Sequence, residues 1–279
     1  MKENSQSPPW NESAKYWEKY RNIIRMMFAP ITDALIADAK IKRAYTVLDV
    51  GSGPGEPALT VAKVVGPEGR VIGIDPTAEM IAAARRTAAR ESLSNIEFEV
   101  AFADRLSFAS ETFDAVVSRF AVMFFPAPVD AIREVLRVMK PGGRMAFAAW
   151  SFAQQNPFHC TLSKVIDDYV GPPPVAQPEC SDVFRFASPG KLVALLMKAG
   201  ASDASERLLH FTIEAPLSVE DFCELRSEMS DRLRSTLRIL SPTQSAEMRS
   251  RVIEELRAYS TPRGICLPAE VVIVSGKKK

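Results

Sequence analysis

Between Val47 and Glu56 the chain reads Val-Leu-Asp-Val-Gly-Ser-Gly-Pro-Gly-Glu. Gly51, Gly53 and Gly55 alternate with other residues, a spacing that lets the backbone turn sharply and lets a ligand approach where a Cβ would clash. Pro57 comes next, a residue favoured in the first turn of a helix. The segment therefore reads as a strand running through a glycine-rich loop into a helix, and the carboxyl end of a strand is where open α/β sheets bind ligands. A loop of this composition also serves as a plain tight turn, so its neighbours must say more.

A dinucleotide fingerprint, GxGxxG, puts its third small residue at position 56, where this chain has Glu56. That carboxylate would stand beside a diphosphate, and Pro57 lacks the N–H that a diphosphate takes from a helix N-terminus. Both departures oppose an anionic ligand and a nicotinamide oxidoreductase. They suit S-adenosyl-L-methionine, which has no phosphate and carries a sulfonium cation. No GKS or GKT follows the loop, which excludes a P-loop.

Asp75 ends the apolar run Val71-Ile72-Gly73-Ile74, at the distance past the loop where an acidic residue accepts hydrogen bonds from ribose hydroxyls. Its other reading is a cap for the helix opening at Ala78, a role Thr77 could also fill. Ala103-Asp104-Arg105 follows the next strand candidate, where a carboxylate can accept from an adenine amino group.

The elements that must carry these residues follow an α/β pattern. Strand candidates are Thr46–Val50, Arg70–Asp75, Ile96–Phe102, Phe113–Phe120 and Arg144–Trp150, short and rich in β-branched or aromatic residues as strands buried on both faces are. Helix candidates Pro57–Val65, Ala78–Glu91 and Val129–Met139 lie between them, with turn chemistry at 66–69 and 141–143. Residues 10–40 read as helical, with Trp17, Tyr20, Ile24, Met27 and Phe28 at roughly helical spacing. Beyond Trp150 lie an irregular stretch with Pro172, Pro173, Pro174 and Pro178, a helix Gly190–Ala199, a strand Glu206–Ile213, helices Ser218–Ile239 and Pro242–Ala258, and a strand Ala269–Val274.

The runs VLDVGSGPGE, GIDPTAEMI, FADRLSFASETFDAVVSRF and EVLRVMKPGGR, in that order, resemble the successive motifs of class I S-adenosylmethionine-dependent methyltransferases, and most of all the ubiquinone/menaquinone-biosynthesis-like group. The resemblance covers roughly residues 45–150. It implies a Rossmann-like, doubly wound α/β sheet of seven strands, with the antiparallel last strand inserted between Arg144–Trp150 and Glu206–Ile213. An N-terminal helical lid over 1–44 and a helical excursion over about 218–258 within a domain spanning 45–279 complete the expected architecture. Carried over by position, Asp49, Gly51, Ser52 and Gly53 would hold the methionine moiety, with Asp75 on the ribose and Pro76 and Met80 beside the adenosine. Ala103, Asp104 and Arg105 would surround adenine, and Ser118 and Arg119 would line the floor after the fourth strand. Asp49 has a second reading as a carboxylate tying down the loop, and Met80 one as a core residue.

The stretch 120–126 after the fourth strand is almost wholly apolar, so Phe120, Met123 and Phe124 are candidates for an acceptor pocket, with ordinary core as the rival reading. Trp10, Tyr16, Trp17 and Tyr20 are candidates for an aromatic cover, since aromatic faces attract a sulfonium cation. His159 is a weak candidate for a proton acceptor.

Composition narrows the acceptor. Thirty-five Lys and Arg against 34 Asp and Glu leave a net charge of +1, with no basic field to gather nucleic acid. The NPPY motif of DNA and protein amide methylation is absent where SRFAVMFF stands, which favours a small-molecule acceptor. Four scattered cysteines and two histidines give no metal-ligand spacing. No apolar run reaches membrane-spanning length and the first residues are polar, so a cytoplasmic location without a metal is expected.

Overall fold

The computed structural model describes residues 10–171 and 182–279, and the four prolines noted above lie outside the described residues. Five strands form the parallel part of one sheet: β1 (Thr46–Val50), β2 (Arg70–Asp75), β3 (Ile96–Val100), β4 (Phe113–Arg119) and β5 (Met139–Trp150). A sixth, β6 (Ser202–Ala215), lies beyond them, with a short β7 (Ser260–Thr261) and a long β8 (Gly264–Lys277) closing the chain. The order is β3-β2-β1-β4-β5-β8-β6, with β8 antiparallel to both neighbours, and β7 pairs with β8 off this path. The expected insertion of the last strand is therefore found, and the two residues of β7 are added to the expected seven.

The chain winds outward from β1 to β3, then returns to place β4 on the other side of β1. The loops after β1 and β4 thus diverge from adjacent strand ends, the crevice where doubly wound sheets take ligands. Val47, Leu48, Ala115, Val116, Val117 and Phe147 are wholly buried, which is why these strands carry apolar residues at consecutive positions. Helices α4 (Ala58–Val65), α5 (Ala78–Arg90) and α6 (Pro128–Val138) connect them.

Outside this block the structure corrects several boundaries. Residues 10–40 form three helices, α1 (Ala14–Lys19), α2 (Arg21–Met27) and α3 (Ala29–Asp38), because the backbone leaves helical geometry at Tyr20 and Phe28. Ile24, Met27, Phe28, Ile31 and Leu35 are buried, so α2 and α3 belong to the main core. The stretch after Trp150 holds an unforeseen helix, α7 (Pro157–Val170), and α8 (Lys191–Ala199) precedes β6. The excursion is split: α9 (Val219–Met229) ends where Ser230 is extended, and the Ser230 side chain caps α10 (Asp231–Ile239) before α11 (Pro242–Arg257). Strands β6 and β8 outrun their expected spans because they pair from Ser202↔Lys277 to Ala215↔Ile265.

Asn156 joins the end of β5 to β8. Its Nδ2 donates to the carbonyls of Phe152 and Glu270, both at 3.0 Å, and its Oδ1 accepts from the Glu270 N–H at 3.0 Å. The residue is fully buried, so truncation leaves main-chain groups without partners. Asn156→Ala is expected to lower unfolding free energy by about 2–4 kcal/mol in urea titration, the scale for several buried hydrogen bonds lost at once. A loss below about 0.5 kcal/mol contradicts this role.

Candidate active site

A cavity of about 1570 Å³ runs across the carboxyl ends of β1, β2 and β4 and continues beneath α1, α2, α7, α9 and α10. Its cradle is the loop after β1. The N–H groups of Gly51 and Ser52 both donate to the Ile74 carbonyl, at 2.8 and 2.9 Å, which fastens the loop to β2. Gly51 and Gly53 have φ of +75° and +51°. A Cβ on Gly51 would lie 2.2 Å from the Ala121 Cβ, so glycine is what lets the loops after β1 and β4 meet. A Cβ on Gly53 would meet nothing within 4 Å. Gly53 lines the cavity, so that open space is continuous with it.

Asp75 is held in place by main-chain donors. One oxygen accepts from Gly53 N–H at 3.1 Å and the other from Thr77 N–H at 2.9 Å. Burial pushes its pKa up, against the pull of the Thr77 and Gly53 N–H groups. Two main-chain bonds leave carboxylate lone pairs for ligand hydroxyls. The Thr77 side chain makes no cap bond, so Asp75 serves the start of α5 while it faces the cavity.

Behind the loop lies a buried charge cluster. Asp49 accepts from the Ala58 N–H at 3.0 Å, while its other oxygen is buried without a partner. Burial pushes Asp49 up to about 8; the Ala58 N–H and Arg119 oppose that rise, and Glu56 and Asp75 add to it. Glu56 accepts from the Thr60 hydroxyl at 2.8 Å, with Arg25 at 4.0 Å. Arg119 donates to Thr32 Oγ1 at 2.9 Å and lies 5.7 Å from the Phe28 ring centroid. Asp49 and Glu56 flank the buried Arg119, and with Asp75 they set acidic groups at this end of the cavity, which oppose a diphosphate.

Gly51, Ser52, Gly53, Asp75, Pro76, Met80, Ala103, Asp104, Arg119, Phe120, Phe124 and His159 all stand on the cavity wall. Asp49, Arg105, Ser118, Met123 and Tyr20 are not among the wall residues. Asp49 ties down the start of α4 through the Ala58 N–H. Ser118 donates to the Val50 carbonyl at 2.7 Å and so stitches β4 to β1. Met123 packs wholly inside the core, and the Arg105 N–H closes a turn onto the Phe102 carbonyl. Tyr20 donates to Glu228 at 2.6 Å, docking the N-terminal helices onto α9. Trp10 and Trp17 line the cavity while Tyr16 does not. Phe120 stacks on Trp150 at 4.2 Å, and Trp10 meets Phe124 edge-on at 5.3 Å.

His159 is half-buried edge-on to Trp150 at 4.6 Å, and desolvation together with the nearby Arg226 charge pushes it down to about 3. It is neutral at physiological pH and a poor proton acceptor there. Sequence reasoning passed over Arg25, Ile166 and Arg226, and placed Phe28 only on a helix face; all four line the wall. One signal was available for Arg226: it lies at helical spacing from Phe222 and Met229, a cation on an apolar face.

The Asp49 shift sets a pH dependence. The folded carboxyl titrates near 8 against an ordinary 3.8, so between those values the folded state binds more protons than the unfolded one. Its contribution to stability is complete below the lower value and is lost as pH rises through the upper. Asp49→Asn, which keeps an acceptor for Ala58, should gain stability relative to the wild type between about pH 5 and about pH 9. Parallel urea-unfolding profiles for the two proteins would rule out the buried, protonated carboxyl.

Residues 41–173 match a family model described as "Methyltransferase domain". The chain is 39% identical over 122 residues to an arsenite methyltransferase of Halobacterium salinarum, covering 44% of this chain and 31% of that protein. It is 36% identical over 130 residues to the ubiquinone/menaquinone biosynthesis C-methyltransferase UbiE of Pseudomonas fluorescens, covering 46% and 49%. The uncharacterized methyltransferase YcgJ of Bacillus subtilis is 31% identical over 164 residues, 58% of each chain. Its crystal structure superposes with a TM-score of 0.58 over 90% of this chain and 99% of that one, at 20% identity, which speaks for the fold. The chain thus spans 31%, 49% and 58% of the lengths of these curated relatives. Residues 41–173 thus match a methyltransferase domain, are similar in sequence to the ubiquinone/menaquinone-biosynthesis C-methyltransferases, and share the fold of YcgJ.

Proposed function

We propose that the whole chain moves a methyl group from S-adenosylmethionine to a small, partly apolar acceptor. The observation that carries this reading is a single cavity joining a carboxylate-rich cradle at the glycine loop to an aromatic chamber under the N-terminal helices. The cradle's groups fit the cofactor: a fixed, half-buried Asp75 for ribose hydroxyls, open space at Gly53, and the acidic Glu56 and Asp75 for a sulfonium. In this reading Gly51, Ser52 and Gly53 hold the methionine end, with Asp49 acting through the loop it anchors. Pro76 and Met80 flank the adenosine, and Ala103 and Asp104 meet adenine.

The bound cofactor supplies a methyl already activated on sulfonium, and transfer is an in-line displacement. What remains for the protein is alignment and exclusion of water, worth several kcal/mol when reacting atoms are held in line. Phe120 is fixed by its stack on Trp150 and forms an apolar floor. Trp10 and Trp17 form part of the cover, and Glu18 holds α1 down through Arg86 at 2.6 Å and Arg90 at 3.2 Å on α5. His159, being neutral, orients the acceptor by hydrogen bonding.

A thermal-shift comparison tests the reading. S-adenosylmethionine or S-adenosylhomocysteine at about 100 times Kd should add about 2.7 kcal/mol, a rise in Tm of roughly 5 °C or more, while NAD leaves Tm unchanged. A rise with NAD and none with S-adenosylhomocysteine would overturn it. By calorimetry, Asp75→Ala should weaken S-adenosylhomocysteine by about 2–4 kcal/mol. Gly53→Val should abolish binding while the protein stays folded, because its side chain enters the ligand's space. Wild-type affinity in either folded variant removes that residue from the site.

A further inference from the structure

The cavity has a second end that the cofactor does not use. Arg226 on α9 lines it, with a side chain that is 7% exposed. Its guanidinium lies 3.6 Å from the centroid of the Phe158 ring, and its Nε is buried without a hydrogen bond. Among the described residues no carboxylate pairs with it. The nearby acids are engaged elsewhere: Asp231 with Arg234 and the Ser13 hydroxyl, Asp167 with Arg232, Glu228 with Lys19 and Tyr20. Asp182 accepts the Phe184 N–H.

A guanidinium has five N–H donors in a fixed fork, and a ring face beneath it fills none of them directionally. Burial pushes Arg226 down to about 9, which leaves it charged at neutral pH. A desolvated cation without a partner is costly to the fold, and an anion from outside removes that cost. On the adjoining helix α7, His159 lines the same cavity, and its Nε2 is likewise buried without a partner. Leu162, Ile166 and Phe184 complete an apolar wall there.

We propose that Arg226 and His159 recognise a carboxylate on the methyl acceptor, so that the acceptor is an apolar, aromatic-bodied monoanion. This rests on the methyltransferase reading and narrows its substrate class. A carboxylate matches one guanidinium fork in geometry and in charge, each oxygen accepting from one arm of the fork. The arrangement also separates the charges usefully. The cofactor's cation meets the carboxylates at one end, and the acceptor's anion meets Arg226 at the other, so the two ligands do not compete.

Cinnamate and cinnamyl alcohol, which share a body and differ in charge, are the probes. With S-adenosylhomocysteine bound, the wild type should bind cinnamate at least about tenfold tighter than the alcohol in calorimetry, about 1.4 kcal/mol. Arg226→Met should erase that preference and leave S-adenosylhomocysteine affinity unchanged, and Arg226→Lys should keep part of it. If Arg226→Met fails to fold, the wild-type preference and its reduction in Arg226→Lys carry the test. Equal binding of the two probes, no binding of cinnamate, or a preference that survives Arg226→Met overturns the proposal. Absence of S-adenosylhomocysteine binding to the wild type would instead sink the methyltransferase reading, and the cinnamate preference can still be measured without it.

Discussion

The Ile74 carbonyl accepts two consecutive N–H groups from the loop after β1, and the next residue in that loop, Gly53, donates to the Asp75 carboxylate. These bonds hold the loop flat across the end of β2, so that Gly51 touches Ala121 on the far side. Had any side chain stood at Gly51, the loops after β1 and β4 would be forced apart and the crevice between them would lose its floor. The orientation of Asp75, the start of α4 under Asp49 and the position of Phe120 all follow from that close approach.

Charge divides the cavity. Near the loop, burial raises Asp49 and Asp75 and depresses Arg119, the pattern of a dry site in which each charged form has lost its water. Toward α7 and α9 stands a cation, Arg226, without a carboxylate partner among the described residues, beside a neutral His159. Each end is incomplete by itself. A ligand pair of opposite sign would relieve both, a stronger arrangement than a uniformly apolar pocket because it fixes orientation as well as affinity.

The N-terminal segment has two parts with different physics. Helices α2 and α3 are integral to the core through Ile24, Phe28, Ile31 and Leu35. Helix α1 is held by polar contacts, Glu18 to α5 on one side and Lys19 to Glu228 on the other. Exposed ion pairs of this kind contribute little each and exchange readily with water.

Much of this was legible in the amino-acid order. The glycine loop, the strand ends at Val50 and Asp75 and the alternation of strand and helix through Trp150 depend on short-range backbone bonds and on periodicity, both of which are written locally. The same holds for Glu56 and Pro57 as marks against a diphosphate. Which side chains reach the cavity was decided elsewhere. Asp49 and Gly51 are two residues apart, yet one anchors α4 and the other meets the loop after β4. Tyr20 shares a helical segment with Trp17 but is drawn off by Glu228, more than 200 residues away. Arg226 and His159 become one site only because the excursion after β6 folds back over α7, a long-range packing decision made by the whole apolar core and carried by no local pattern.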